Sequence, residues 1–136
     1  MKKVVERIKP GLPDTFVGKV EDVLVEPSQR EDIGGEQYHI VIKPEDIKIE
    51  GKTGMIHEWI RIPPKATESA VPEGSVLDRY LAEIELLIPE AKQKQTHFEV
   101  FALIKGKKFK WVKKKLGKSF GGYEAHEYWV PAQVVE

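Results

Sequence analysis

The 136-residue sequence contains no cysteine and no asparagine. Without cysteine the chain has no disulfide bonds, no thiol nucleophile and no cysteine-based zinc site, so redox chemistry by the chain itself is excluded. The lack of asparagine accompanies a charged fraction of 32%, chiefly lysine and glutamate. This composition is expected where heat selects against labile side chains, and it indicates a thermophilic source.

Long apolar runs are missing as well. The opening stretch MKKVVERIKPG meets Glu6, Arg7 and Lys9 before any apolar run develops, so it is predicted to be neither a signal peptide nor a membrane span. We therefore expect no membrane association and an intracellular, cytoplasmic location. The length and a hydrophobic fraction of 40% predict a single domain over residues 1–136, with residues 1–15 as an N-terminal arm.

Signatures of catalysis are also absent. The four histidines, at positions 39, 57, 97 and 126, show no HExxH spacing, no serine lies in a nucleophile elbow, and no phosphate-binding GxxxxGKS/T occurs. The pairs His57-Glu58 and His126-Glu127 repeat, but neighbouring residues of a strand point to opposite faces, so neither pair forms a ligand site alone. We therefore expect no enzyme activity, no metal and no cofactor.

Positive charge is concentrated in one segment. Residues 105–118 contain eight lysines, no acidic residue, and Phe109 and Trp111 set two apart. Residues 91–118 carry ten basic residues against Glu99 alone, a local charge of +9 within a chain of net charge zero. Such a segment attracts polyanions through counterion release, and its rings could stack on bases. The alternative, which we favour, is that both rings point inward from a strand whose lysines face solvent.

Under either interpretation the lysine face remains available to a polyanion. The lysines predicted to contact phosphates are Lys108, Lys110, Lys113, Lys114, Lys115 and Lys118.

The hydrophobic pattern predicts strands at both ends of the chain and a helix between them. Strands are expected over residues 16–26, 38–43, 55–63, 107–117 and 126–135. Ser75 is a suitable N-cap for a helix over residues 76–88, which carries an apolar stripe and which Pro89 ends. The stretch FEVFALI fits either a short helix or the start of a strand, and we favour the short helix.

Trp59 is the aromatic residue predicted to lie on a binding surface. It shares a strand face with His57 and Arg61, while three isoleucines occupy the opposite face, so burying the isoleucines exposes the indole. The alternatives are that the helix or the N-terminal arm covers this face, or that the face is a dimer contact. Phe120 and Tyr123 lie in a glycine-rich segment and are reserve candidates for base contacts.

The element order, with the stretches PEGSVLDRYL, LIKGKKFKWVKKKLG and the terminal YWVP, resembles single-stranded nucleic-acid-binding OB-fold proteins of phages and archaea. The resemblance covers residues 16–135. It implies a mainly β fold, a five-stranded OB-like Greek-key barrel with a helix between strands three and four. It also implies that the ligand crosses the outer face of strands two and three, flanked by residues 29–36 and 113–125. On that face lie His39, Val41, Lys43, His57, Trp59 and Arg61.

One departure from the family pattern lies in the first flanking loop. It contains Glu31, Asp32 and Glu36 against Arg30 alone. This acidic balance weakens phosphate binding by that loop.

The predicted function is binding of single-stranded DNA or RNA with low sequence specificity. Lysines would contact phosphates, while Trp59, with Arg61 and Phe120 or Tyr123, stacks on bases. The alternative is a protein-interaction module, in which the lysine strand and the Trp59 face meet an acidic partner or a second copy of the chain. Dependence of affinity on oligonucleotide length would distinguish the two.

Overall fold

In the part of the chain that the structure describes, five strands and two α-helices form in the predicted order. The computed structural model describes residues 14–28, 35–45, 54–117 and 126–136. The strands are β1 (Thr15–Pro27), β2 (Glu36–Pro44), β3 (Ile56–Ile62), β4 (Lys108–Lys115) and β5 (Glu127–Val135). The helices are α1 (Val76–Leu87) and α2 (His97–Ile104), with a 3-10 helix at Pro89–Gln93 between them. The short helix expected at FEVFALI is confirmed.

Several sequence predictions fall outside the described residues. They concern Lys118, Phe120 and Tyr123, most of the N-terminal arm, and the charged residues Arg30, Glu31 and Asp32 of the first loop.

All strand pairs are antiparallel, and the five strands form one sheet in the order β3-β2-β1-β4-β5. The long β1 pairs with β4 along its first residues and with β2 from Gly18 to its end. A register shift between Val20 and Asp22 marks an irregularity of the kind that bends a strand and increases its twist. The fold is therefore mainly β, as predicted.

The predicted closed barrel is not confirmed. In the part of the chain that the structure describes, β3 and β5 form no ladder with each other, so the sheet is open between them. The backbone N–H and carbonyl of Trp129 are bonded to side chains and not to the backbone of β3. The N–H of Trp129 on β5 donates to the Glu58 carboxylate of β3, and its carbonyl accepts the Tyr80 hydroxyl of α1 at 2.8 Å.

The core lies between the inner face of the sheet and the helices. Helix α1 starts at the predicted cap, where the Ser75 hydroxyl accepts the N–H of Asp78 at 3.1 Å. Its apolar stripe is buried, as expected for an amphipathic helix packed on a sheet. The stripe consists of Leu77, Tyr80, Leu81 and Ile84.

Phe109 and Trp111 point inward, which confirms the favoured interpretation of the lysine-rich strand. Both side chains are fully buried. The indole N–H of Trp111 donates to the Gly18 carbonyl at 3.0 Å, which satisfies a polar group that would otherwise be costly to bury. The lysines that alternate with these rings therefore face outward from β4.

Gly18 is required by a close approach of neighbouring strands. It lies where β1 is paired with β2 on one side and with β4 on the other. A Cβ at this position would lie 2.8 Å from Ile42 Cγ2 and 3.0 Å from the Lys43 carbonyl oxygen. Any larger residue would force these strands apart, because the contact involves backbone as well as a side chain.

Neither described α-helix could span a bilayer. The longer one, α1, has 12 residues and alternates apolar with charged positions, whereas a spanning helix needs about 20 mainly apolar residues.

Candidate functional site

Trp59 lies on the outer face of the sheet, as the strand register predicted. Its side chain is 41% exposed, while Ile56 and Ile60, which point to the other face of β3, are buried. Its cross-strand partner is His39 of β2, and His57 is the next outward residue on β3. Together these three residues form what we call the aromatic cluster.

Both histidine rings of the aromatic cluster lie at small angles to the Trp59 ring. The His39 ring lies 4.9 Å from the Trp59 ring, centroid to centroid, at an interplanar angle of 21°. The His57 ring lies 5.8 Å from Trp59 at 17°. Leu24, which is opposite His39 on β1, adds exposed apolar surface beside the cluster. The outer face therefore presents flat, partly solvent-exposed aromatic surface.

Glu26 holds the cluster in place from β1. Its Oε1 atom accepts hydrogen bonds from the Gln37 amide and the Trp59 indole, both at 3.0 Å. Its Oε2 atom lies 3.3 Å from His39 Nδ1. The hydrogen bond from Gln37 is the largest cause that lowers the pKa of the Glu26 carboxyl, and the hydrogen bond from the Trp59 indole lowers it further. Glu26 is therefore ionised at neutral pH.

The two histidines of the cluster are themselves hydrogen-bonded. His39 Nε2 and His57 Nδ1 are 2.7 Å apart, so one of these nitrogens donates and the other accepts. Glu26, His39 and His57 thus form a chain of hydrogen bonds across β1, β2 and β3. Sequence reasoning placed His39 and His57 on the face that the ligand would cross, but it missed this chain, because the contacts depend on the pairing of three strands.

A row of lysines crosses the same outer face. Lys19 of β1 is directly opposite Lys43 of β2 and Lys108 of β4, and all three alternate with buried residues. Lys110 is the next outward residue of β4. We call Lys19, Lys43, Lys108 and Lys110 the lysine row. Like charges directly opposite one another destabilise a sheet, and the ion pair of Lys108 with Glu45 offsets part of this repulsion.

Acidic residues from other elements neutralise part of the lysine-rich segment. Lys108 pairs with Glu45 at 2.5 Å, Lys105 pairs with Asp22 at 3.2 Å, and Lys114 pairs with Glu83. The predicted phosphate-binding lysines are therefore not equivalent. Lys108 is half-buried, whereas Lys110, Lys113, Lys114 and Lys115 are exposed on β4.

Lys113 is the residue that departs most from the predicted outward lysine face. Its Nζ atom lies 5.2 Å from the centroid of the Trp129 ring, a cation–π geometry. Trp129 itself is buried in the core.

The Arg61 side chain is partly buried at the end of β3. Its Nε atom is buried and has no acceptor among the described residues. An unpaired buried donor is costly, so an acceptor supplied by a ligand would stabilise this position.

A groove of about 580 Å³ runs between the unpaired edges of β3 and β5. His57, Trp59, Lys113, Tyr128 and Trp129 contribute to its walls. Volumes of several hundred Å³ with mainly apolar walls and a few polar groups are typical of small-ligand sites. The groove is continuous with the aromatic cluster, because His57 and Trp59 belong to both.

Glu58 lies at the inner wall of this groove and is only 7% exposed. Burial raises the pKa of its carboxyl to about 7, against the hydrogen bond from the Trp129 N–H and the charge of Lys113, which lower it. The sequence pattern indicated that Glu58 is buried, because it occupies the same face of the strand as Ile56 and Ile60. The sequence-based prediction treated it only as the neighbour of His57.

No group of three or more metal-binding side chains occurs in residues 14–28, 35–45, 54–117 and 126–136. No protein-family model matches the chain, and no curated protein or solved structure shows significant similarity to it.

Proposed function

We propose that the protein binds single-stranded nucleic acid on the outer face of the sheet, across β1, β2, β3 and β4. The observation that carries the proposal is the juxtaposition, on one continuous sheet face, of the aromatic cluster and the lysine row. Aromatic rings and cations arranged along a β surface are the two components of sequence-tolerant single-strand binding.

Bases are proposed to stack on Trp59. Every base has a π-face, so stacking requires only an exposed ring and not a particular base edge. The hydrogen bond from the indole to Glu26 fixes the orientation of the ring. A ring that is already oriented loses little conformational freedom on binding.

Phosphates are proposed to follow the lysine row, whereas Arg61 lies on the other side of Trp59, opposite Gln37. Glu26 is ionised and repels phosphates from the centre of the aromatic cluster. The proposed backbone path therefore runs along the lysine side of the cluster, while the bases point toward Trp59.

We further propose that the fold is OB-like. Support comes from the strand order β3-β2-β1-β4-β5 and from the helices between β3 and β4. An OB-fold is a five-stranded and partly open Greek-key barrel that binds oligonucleotides on the face of strands two and three. The open edge between β3 and β5 is compatible with that description.

The test of the function is a titration with labelled single strands of increasing length, with duplex and heparin as controls. Affinity that rises with length up to a fixed site size supports nucleic-acid binding. Equal affinity for heparin and single strands would favour the alternative, a surface for an acidic protein or a second copy of the chain. The lysine row supports that alternative as well, which is why the length series is needed.

Replacing Trp59 by alanine should weaken single-strand binding by about 1–3 kcal/mol, the range for losing one base–aromatic stack. The slope of log K against log salt should hardly change, because no cation is removed. Fluorescence anisotropy titrations at several salt concentrations measure both quantities.

Trp59→Phe is the matched control for this change. It keeps an aromatic face but loses the indole N–H that donates to Glu26, so most of the affinity should remain. A thermal melt should show that Trp59→Ala folds, because Ile56 and Ile60 supply the burial on this strand. Normal binding by the folded Trp59→Ala variant would place the interface elsewhere.

Replacing Lys19, Lys43 and Lys110 together by glutamine should reduce the salt slope by about two units, since each phosphate that is no longer neutralised accounts for roughly 0.7. The same variant should be at least as stable as the wild type, because repulsion between opposed lysines is relieved. Binding and stability are therefore expected to change in opposite directions.

The control for the lysine variant has the same charge change away from the proposed face. Lys65, Lys92 and Lys94 are exposed and lie in the segments around α1. Replacing these three by glutamine should leave the salt slope within about half a unit of the wild type. An equal reduction of the slope in both triple variants would show that only the net charge matters and would refute a localised phosphate path.

A further inference from the structure

Single-stranded RNA and DNA differ by one hydroxyl group per nucleotide, and the aromatic cluster contains a group able to detect it. The chain of hydrogen bonds starts at the Glu26 carboxylate, passes through His39 and ends at His57. Since each strand contributes one member, the sheet itself fixes the order of the chain.

The carboxylate end determines where the hydrogens of the chain lie. An ionised carboxylate only accepts hydrogen bonds, so the His39 Nδ1 atom, 3.3 Å from Glu26 Oε2, carries a hydrogen. In a neutral imidazole only one nitrogen is protonated, and His39 Nε2 therefore accepts. The donor across the 2.7 Å contact must then be His57 Nδ1.

It follows that the Nε2 atom of neutral His57 has a lone pair and no hydrogen. The His57 side chain is exposed and borders the groove beside Trp59. The rings of these two residues are 5.8 Å apart, centroid to centroid. A ribose is joined to its base by one glycosidic bond, so a base stacked on Trp59 brings its sugar into the range of the neighbouring imidazole.

We propose that the His57 Nε2 atom accepts a hydrogen bond from a ribose 2′-hydroxyl, so that the protein prefers single-stranded RNA to single-stranded DNA. This inference rests on the proposed function. The 2′-hydroxyl is the group by which proteins distinguish RNA from DNA. Deoxyribose has no donor at this position and leaves the His57 acceptor without a partner from the sugar.

His39 is a positioning residue in this proposal, because it acts through His57. The pattern is the same as for a metal-bound or catalytic histidine, whose second nitrogen is fixed by a carboxylate or another acceptor. Without His39, neither tautomer of His57 would be selected, and the exposed Nε2 atom could then carry a hydrogen.

The first test measures the tautomer of His57 in the free protein. Long-range ¹H–¹⁵N correlation NMR at a pH of about 8.5, two units above the pKa of free imidazole, distinguishes protonated from bare ring nitrogens. We expect a protonated Nδ1 and a bare Nε2 at His57. The opposite tautomer would overturn the proposal. In His39→Phe, which keeps a flat ring beside Trp59 but removes both nitrogens, the preference for this tautomer should disappear.

The second test compares oligouridine with oligodeoxyuridine at the same pH, each about twelve nucleotides long and thus within the site size of an OB-type domain. RNA should bind about three- to tenfold more tightly, the factor expected for one net hydrogen bond. Oligouridine with 2′-O-methyl groups lacks the donor hydrogen and should lose this advantage. The ratio of RNA to DNA affinity should fall to about one in His39→Phe. It should be unchanged in His126→Phe, which alters a histidine outside the hydrogen-bonded chain.

The outcomes separate this inference from the proposed function. Tight but equal binding of the two strands would overturn the RNA preference and leave single-strand binding in place. Binding of neither strand would overturn both. A preference for RNA that persists in His39→Phe would show that selection occurs elsewhere and would overturn the role of the His57 acceptor.

Discussion

Replacing Ile84 by alanine is expected to lower the free energy of unfolding by about 2–5 kcal/mol, the range for truncating a buried aliphatic side chain. Ile84 is fully buried in the stripe by which α1 contacts the sheet. Its truncation removes apolar contacts and leaves a cavity that the surrounding close-packed side chains cannot easily fill. Chemical denaturation with a constant m-value measures the change directly.

Leu86→Ala on the same helix is the matched control. The Leu86 side chain is 74% exposed, so its truncation should alter stability by no more than about 0.5 kcal/mol. Both variants replace an aliphatic residue by the best helix former, so helix propensity cannot explain a difference between them. Equal and small losses of stability in the two variants would mean that α1 is only loosely docked on the sheet.

The second large effect is expected at Glu58, whose buried carboxyl has a pKa raised from 4.5 to about 7. The folded protein therefore holds this proton to a higher pH than the unfolded chain does. The contribution of Glu58 to stability is greatest below pH 4.5, falls as the pH rises toward 7, and stays at its lowest value above that. The difference between the two limits is on the order of 3 kcal/mol.

Glu58→Gln isolates this effect, because the amide keeps a carbonyl that can accept the Trp129 N–H but carries no charge. The unfolding free energy of the variant relative to the wild type should rise by on the order of 3 kcal/mol between pH 4 and pH 9. Denaturation at both pH values gives this change, whatever constant offset the substitution adds. Glu73→Gln, at an exposed position before α1, removes one carboxylate in the same way and is the matched control.

A pH-independent difference between Glu58→Gln and the wild type would refute a raised pKa at this position. It would also indicate that the contact between β3 and β5 does not depend on the protonation of Glu58. The groups that face this carboxyl from other elements are Lys113 of β4, Tyr80 of α1 and Tyr128 of β5. Of these, only Lys113 carries a charge near neutral pH.

Local patterns in the sequence determined the strands, the helices and the faces on which most side chains lie. Alternation with a period of two predicted the buried Ile56 and Ile60 and the exposed Trp59, and the same rule placed Phe109 and Trp111 inside. Ser75 and Pro89 predicted the bounds of α1. These features depend on neighbouring residues, so the linear pattern contains the information that specifies them.

The tertiary structure alone decided which distant residues meet. Lys19 and Lys43 joined Lys108 because β1 pairs with both β2 and β4. The bonds from Glu26 through His39 to His57 required the registers of two strand pairs at once. The opening between β3 and β5, with Glu58 inside it, depended on side chains bonding to the Trp129 peptide groups. Pairing between strands far apart in sequence fixes such contacts, and no local periodicity encodes it.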